Sequence, residues 1–128
     1  MDEKTTIFVF GSNCEGRHGK GAALEALKNW GAIPGQSMGL QGRSYAIVTK
    51  ELRSHWPKVG LREVELGVSQ FLQFARTHDE LHFKVTAIGC GLAGFKVAEI
   101  APFFENVPEN VELPVEFEEE LKRRRNGT

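Results

Sequence analysis

The run Ile7-Phe8-Val9-Phe10-Gly11-Ser12-Asn13-Cys14-Glu15-Gly16-Arg17-His18-Gly19-Lys20-Gly21-Ala22-Ala23-Leu24 constrains this chain more than any other stretch. An apolar, β-branched and aromatic segment passes straight into a glycine-rich loop and then into an alanine-rich, helix-forming segment. That order is how a sheet presents an anion site. Glycines let backbone N–H groups come close to a ligand, and the helix after them adds the positive end of its dipole. An ordinary strand-to-helix turn uses the same residues, so the loop alone leaves both readings open.

The rest of the chain repeats the alternation. Thr5 to Phe10 reads as a buried strand, and Ala22, Ala23, Ala26, Leu27 and Trp30 recur at helical spacing between Gly19 and Trp30. Gly31 to Gly35 ends that helix, and Gly39-Leu40-Gln41-Gly42 reads as irregular. Ser44 to Thr49 reads as a second strand with Lys50 at its carboxyl end; residues 51–60 read as a loop anchored by Trp56. A long amphipathic helix is expected over Leu61 to Arg76, and a third strand over Phe83 to Ile88. Val97 to Phe104 begins a further helix that Pro102 shortens or kinks. Val111, Leu113, Val115 and Phe117 alternate as a final edge strand. The expected fold class is therefore α/β, a compact mixed sheet flanked by helices. Residues 1–117 make the domain and 118–128 a charged C-terminal tail, in which Glu118 to Arg125 carry helical i, i+4 charge pairs.

The third strand also runs into glycines, Gly89-Cys90-Gly91-Leu92-Ala93-Gly94-Phe95. In open α/β sheets ligands lie outside the carboxyl ends of the strands, so both glycine loops and Lys50 belong to one rim. Gly89-x-Gly91-x-x-Gly94 formally satisfies a dinucleotide fingerprint. The segment after Gly94, interrupted by Pro102, Pro108 and Pro114, is too short for the βαβ repeats that fingerprint normally opens.

Composition narrows the partners. Sixteen basic and seventeen acidic side chains leave a formal charge of -1, so no overall field draws nucleic acid or an anionic membrane, and any anion is held locally. The acidic start Met1-Asp2-Glu3-Lys4 lacks the order of a signal peptide and no apolar run suits a membrane span, which leads to the expectation of a cytoplasmic protein. Cys14 and Cys90 are expected to be reduced thiols, and His55, His78 and His82 show no ligand spacing, so neither metal nor cofactor is expected.

These loops resemble those of the macrodomains, which bind ADP-ribose in a cleft between two loops on a mixed sheet. Gly11-Ser12-Asn13 through Gly19-Lys20-Gly21-Ala22-Ala23 resembles the first loop and helix, beside the distal ribose. Ile88-Gly89-Cys90-Gly91-Leu92-Ala93-Gly94-Phe95 resembles the phosphate-binding loop, whose aromatic packs on the ribose. The likeness is greatest to the branch that holds the terminal ADP-ribose protein glycohydrolase and the antitoxins that remove ADP-ribose from DNA. Its motifs Ile-x-Thr-Lys, Ser-His/Lys-Pro and Ile-Gly-Cys-Gly-Leu are matched by Ile47-Val48-Thr49-Lys50, Ser54-His55-Trp56-Pro57 and Ile88-Gly89-Cys90-Gly91-Leu92.

The resemblance implies a module whose partner is ADP-ribose or an ADP-ribosylated macromolecule, bound by Gly11, Ser12, Asn13, His18, Gly19, Lys20, Gly21 and the segment Gly89 to Phe95. It implies Lys50 as the nucleophile of an ADP-ribosyl hydrolase. Ala93 stands where that branch carries an assisting aspartate, and Asn13 stands alone where many macrodomains carry Asn-Ala-Ala-Asn. A nucleophilic lysine needs a proton acceptor, for which Glu51, His18 and Glu15 are the candidates. A non-enzymatic ADP-ribose or nucleotide sensor, and a Rossmann-like protein for another phosphorylated metabolite, are the alternatives. His18 serves as a base or phosphate donor or faces water, and Phe95 stacks on the ligand or packs in the core.

Overall fold

A computed structural model describes residues 5–127. At its centre is β1 (Thr6–Asn13), whose side chains alternate between two cores. Ile7 and Val9 face one and Phe8 and Phe10 the other, the period-2 consequence of a strand covered on both faces. With α1 (Gly21–Asn29), β2 (Gly39–Gln41), β3 (Ser44–Lys50), α2 (Leu61–Arg76) and β4 (His82–Val85), the chain builds most of a three-layer α/β domain. A short α3 (Val97–Ile100) runs into a 3₁₀ turn (Ala101–Phe104), followed by β5 (Val111–Glu112) and α4 (Val115–Gly127). The sheet order is β2-β3-β1-β4-β5. β3, β1, β4 and β5 are parallel, and β2 is antiparallel on the β3 edge.

The smaller core lies under α1. Ala23 and Ala26 let that helix approach Phe8, Phe10 and Ala46 closely, and Trp30 stacks on Phe8 with ring centroids 5.2 Å apart. The larger core lies under α2, whose Val64, Val68, Phe71, Leu72 and Ala75 form one face against Ile7, Val9, Ile47 and Phe83. Glu63 Oε1 accepts the Gly60 N–H at 2.7 Å, which fixes the start of α2 by satisfying an otherwise orphaned donor.

Several boundaries depart from the sequence reading. β1 continues through Gly11, Ser12 and Asn13, so these residues end a strand instead of opening a loop. α1 begins at Gly21, two residues after the expected start. Gly39–Gln41 is a strand, not an irregular segment; Gln41 pairs with Ser44 across a tight turn at Gly42-Arg43. β4 ends at Val85, because the Thr86 hydroxyl and amide both donate to the Val9 carbonyl and Ile88 N–H turns back to Thr86 O at 2.7 Å. Trp56 does not anchor residues 51–60: it is 57% exposed, with the Arg53 guanidinium over its ring at 4.1 Å.

The expected final strand is the largest difference. Only Val111 and Glu112 pair with β4; Pro114 then stops the ladder and its carbonyl accepts the amides of Phe117 and Glu118, opening α4. Phe117 and Leu121, one helical turn apart, are 0% and 2% exposed, and Phe117 stacks on Phe104 at 5.5 Å. Over residues 118–127 the expected charged tail is thus the outer face of a helix docked in the main core, and Thr128 lies outside the described residues. Its observed ion pairs are Arg123–Glu120 at 2.7 Å and Arg125–Glu105 at 3.5 Å, not the expected i, i+4 set.

Candidate functional site

The carboxyl ends of β3, β1 and β4 open into a cleft of about 740 Å³. β1 and β3 run in register to Ser12↔Val48, then shift so that Asn13 faces Lys50. Such an irregularity re-aims the side chains beyond it, and here it brings Lys50 to the cleft wall. On the β4 side, Gly89 has φ +76, and a Cβ there would lie 3.3 Å from Phe95 and 3.4 Å from Ile100. Glycine at this point lets the turn after β4 lie flat on the core and lift the next residues to the rim.

Two sets of residues with unpaired backbone donors line this space. Gly21, Ala22 and Ala23 line the cleft as the first turn of α1, and the helix has no side-chain cap on Lys20. The first bonded amide of the helix is that of Leu24, to Lys20 O at 3.2 Å, so the three preceding amides have no acceptor among the described residues. Across the cleft, Gly91, Leu92 and Ala93 also line it, and their amides likewise have no acceptor among the described residues. Neighbouring amides of that loop are committed: Cys90 N–H to Ala87 O, Gly94 N–H to Gly91 O and Phe95 N–H to Gly89 O. Consecutive free N–H groups form a concavity for an anion, and an uncapped helix start adds its dipole.

The polar side chains of the inner wall are turned to the protein's own backbone. The Ser12 hydroxyl donates to Ser37 O, that of Thr49 to Ser12 O at 3.2 Å, and that of Thr86 to Val9 O at 2.8 Å. Asn13 spends both ends of its amide on Arg17, donating to its carbonyl at 2.7 Å and accepting its N–H at 2.9 Å. Asn13 thereby holds the loop before α1 in shape. The groups that remain for a ligand are the free amides and four charged side chains, Arg17, Lys20, Lys50 and Glu116. The Lys50 ammonium donates to Leu92 O at 3.2 Å, tying β3 to the second loop.

Of the residues selected from the sequence, Gly11, Ser12, Asn13, Gly19, Lys20, Gly21, Lys50 and the segment Gly89 to Ala93 line this one cleft, while His18, Gly94 and Phe95 do not. Phe95 packs against the main core. His18 is 4% exposed and edge-on to Phe10 at 5.2 Å; its Nε2 lies 3.0 Å from Ile33 O and 3.1 Å from Gln41 Oε1. Both partners are acceptors, so Nε2 carries the proton and His18 is a buried clamp under the loop.

Neither Glu51 nor Glu15 lines the cleft. Glu51, its side chain 2% exposed, pairs with Arg53 at 2.5 Å, and Arg53 also lies 4.0 Å from Glu15. The Arg53 guanidinium holds the Glu51 carboxyl below the usual carboxylate range, and burial together with the Glu51 contact pushes the Cys14 thiol up. Glu116, from the first turn of α4, is the carboxylate that does line the cleft. Reading residues 111–117 as a strand hid it; the signal that reveals it is the Phe117/Leu121 pair at helical spacing directly after Pro114. Among the described residues no cluster of His, Cys, Asp or Glu is able to hold a metal ion, and no helix is long and apolar enough to cross a membrane.

Comparison of the chain with protein-family models, with curated proteins and with solved structures gave no match.

Proposed function

We propose that this cleft binds ADP-ribose or a related nucleotide in the manner of a macrodomain, either free or attached to a macromolecule. The observation that carries the reading is the convergence of two sets of unpaired amides, those of Gly21 to Ala23 and of Gly91 to Ala93, on one cavity flanked by Arg17, Lys20 and Lys50. A diphosphate presents oxygens on two adjacent phosphorus atoms and suits two facing donor sets. A volume of about 740 Å³ is in the range of small-molecule sites. Calorimetry with ADP-ribose, AMP and ribose 5-phosphate tests the reading. ADP-ribose binds much more tightly than either monophosphate, since each of those carries one phosphate; equal or absent binding of all three refutes the assignment.

Removal of ADP-ribose from a macromolecule is a second reading, favoured by Lys50, whose ammonium is held at the cleft wall by Leu92 O. In this reading the amine, once deprotonated, attacks C1′ of the modified ribose and the macromolecule leaves with the bonding electron pair and a proton; water then adds at C1′, the C1′–N bond breaks, and ADP-ribose and the free amine are released. A sensor that binds without turnover keeps the same cleft and uses Lys50 as a phosphate partner.

A further inference from the structure

Glu116 is anomalous in a cleft otherwise built for anions. It is exposed, it lies in the first turn of α4, and it has no hydrogen bond or ion pair among the described residues. A carboxylate beside a phosphate cradle repels the phosphate, so its presence is favourable only when the ligand also brings hydrogen-bond donors to that wall. Glu116 shares the cleft with Cys90, the residue just before the free amides of Gly91 to Ala93. Burial first, and then the Glu116 and Glu99 charges, push the Cys90 thiol up.

Resting on the nucleotide reading above, we infer that Glu116 is the sugar-recognising group of the cleft, its carboxylate accepting hydrogen bonds from the vicinal hydroxyls of the ribose next to the diphosphate. Ligand connectivity selects the ribose over the base. Whatever phosphate sits on Gly91 to Ala93, the group bonded to the diphosphate on either side in ADP-ribose is a ribose, and the adenine amine lies a full sugar farther away. Two vicinal hydroxyls offer two donors to the two oxygens of one carboxylate, a charge-assisted pair stronger than hydrogen bonds between neutral groups. An acidic residue in a helix's first turn also favours the helix dipole, but Glu118 in the same turn does so without lining the cleft.

The test measures, by calorimetry, ADP-ribose, its inosine analogue (which lacks the exocyclic amine) and inorganic pyrophosphate (which lacks the sugar) on wild type, Glu116→Gln, Glu116→Ala and Glu118→Gln. Glu116→Ala weakens ADP-ribose about tenfold to a hundredfold, as expected for hydrogen bonds to a charged group. It weakens the inosine analogue equally, and leaves pyrophosphate unchanged or tighter. Glu116→Gln, which keeps one acceptor oxygen and loses the charge, falls between, and Glu118→Gln binds as wild type does. Parallel weakening of ADP-ribose and pyrophosphate, unchanged ADP-ribose binding, or an effect that vanishes with the inosine analogue each overturns the assignment. Wild-type protein that binds pyrophosphate but not ADP-ribose overturns the nucleotide reading itself and this inference with it, a result distinct from failure of the Glu116 variants alone.

Discussion

Gly91 and Gly89 are two residues apart in one loop, yet valine at each has a different consequence, and the contrast tests the amide cradle. A Cβ built on Gly91 meets nothing within 4 Å and its φ is not in the left-handed region, so Gly91→Val folds with a stability change within about 0.5 kcal/mol, roughly 2 °C in Tm. The added side chain enters open space at a cleft-lining residue that begins the run of unpaired amides, Gly91 to Ala93. An anion displaced from them loses at least two charge-assisted hydrogen bonds at about 1.5–3 kcal/mol each. The loss is about 3 kcal/mol or more, over a hundredfold in Kd for ADP-ribose. Gly89→Val instead forces a branched side chain to φ +76 with its Cβ 3.3 Å from the Phe95 ring, and costs about 2 kcal/mol or more of stability. Thermal melts report the fold and calorimetry the affinity. Normal ADP-ribose binding by Gly91→Val, or a Gly91→Val melt that falls as far as that of Gly89→Val, refutes the reasoning.

Lys50→Ala separates enzyme from sensor: if Lys50 is the nucleophile, turnover of an ADP-ribosylated substrate is abolished with affinity within a few fold, whereas a phosphate partner costs roughly 1 to 3 kcal/mol of affinity. Borohydride treatment during turnover then traps an adduct on Lys50 in the first case and none in the second. Phe117→Ala, removing a fully buried ring from α4, costs about 3–5 kcal/mol in denaturant unfolding; a loss below about 1 kcal/mol would show that α4 is not part of the core. The Glu51–Arg53 pair makes stability fall on acidification. Because the Glu51 carboxyl is depressed in the folded state, its contribution is present above the ordinary carboxylate pKa of about 4.3 and is lost as pH drops through the folded value. The stability difference between wild type and Arg53→Ala therefore narrows below about pH 4, and a difference that widens there contradicts the pairing.

The parts of the fold that the sequence revealed are those where one periodicity acts alone. α2 spans Leu61–Arg76 as its apolar face foretold, and β1 is buried on both faces because Ile7, Phe8, Val9 and Phe10 are all apolar. β2 was hidden since its three residues depend on pairing with β3 and include no β-branched or aromatic residue. At Val111 to Phe117 two periodicities overlap, and a single proline decides between them by removing the donor that a strand ladder needs and a helix start does not. The two loops and Lys50 were legible as one rim because parallel strands deliver their carboxyl ends to the same edge. His18 was not, since its burial depends on the Ile33 carbonyl and on Gln41, which ends the unrecognised β2. Glu116 was lost with the helix that carries it.

Apart from the cationic side chains, the free donors in the cleft are main-chain amides, and the side chains of Ser12, Thr49 and Thr86 are directed away to backbone carbonyls. A binding surface made this way is inherited through dihedral angles more than through residue identities. Substitution at Ala22, Leu92 or Ala93 leaves the N–H in place, so selection acts there on space and backbone shape, while the heaviest constraint falls on positions such as Gly21, at φ +57, and Gly89, at φ +76. Alanine scanning of the cleft therefore reports volume and charge but is blind to the main-chain donors themselves.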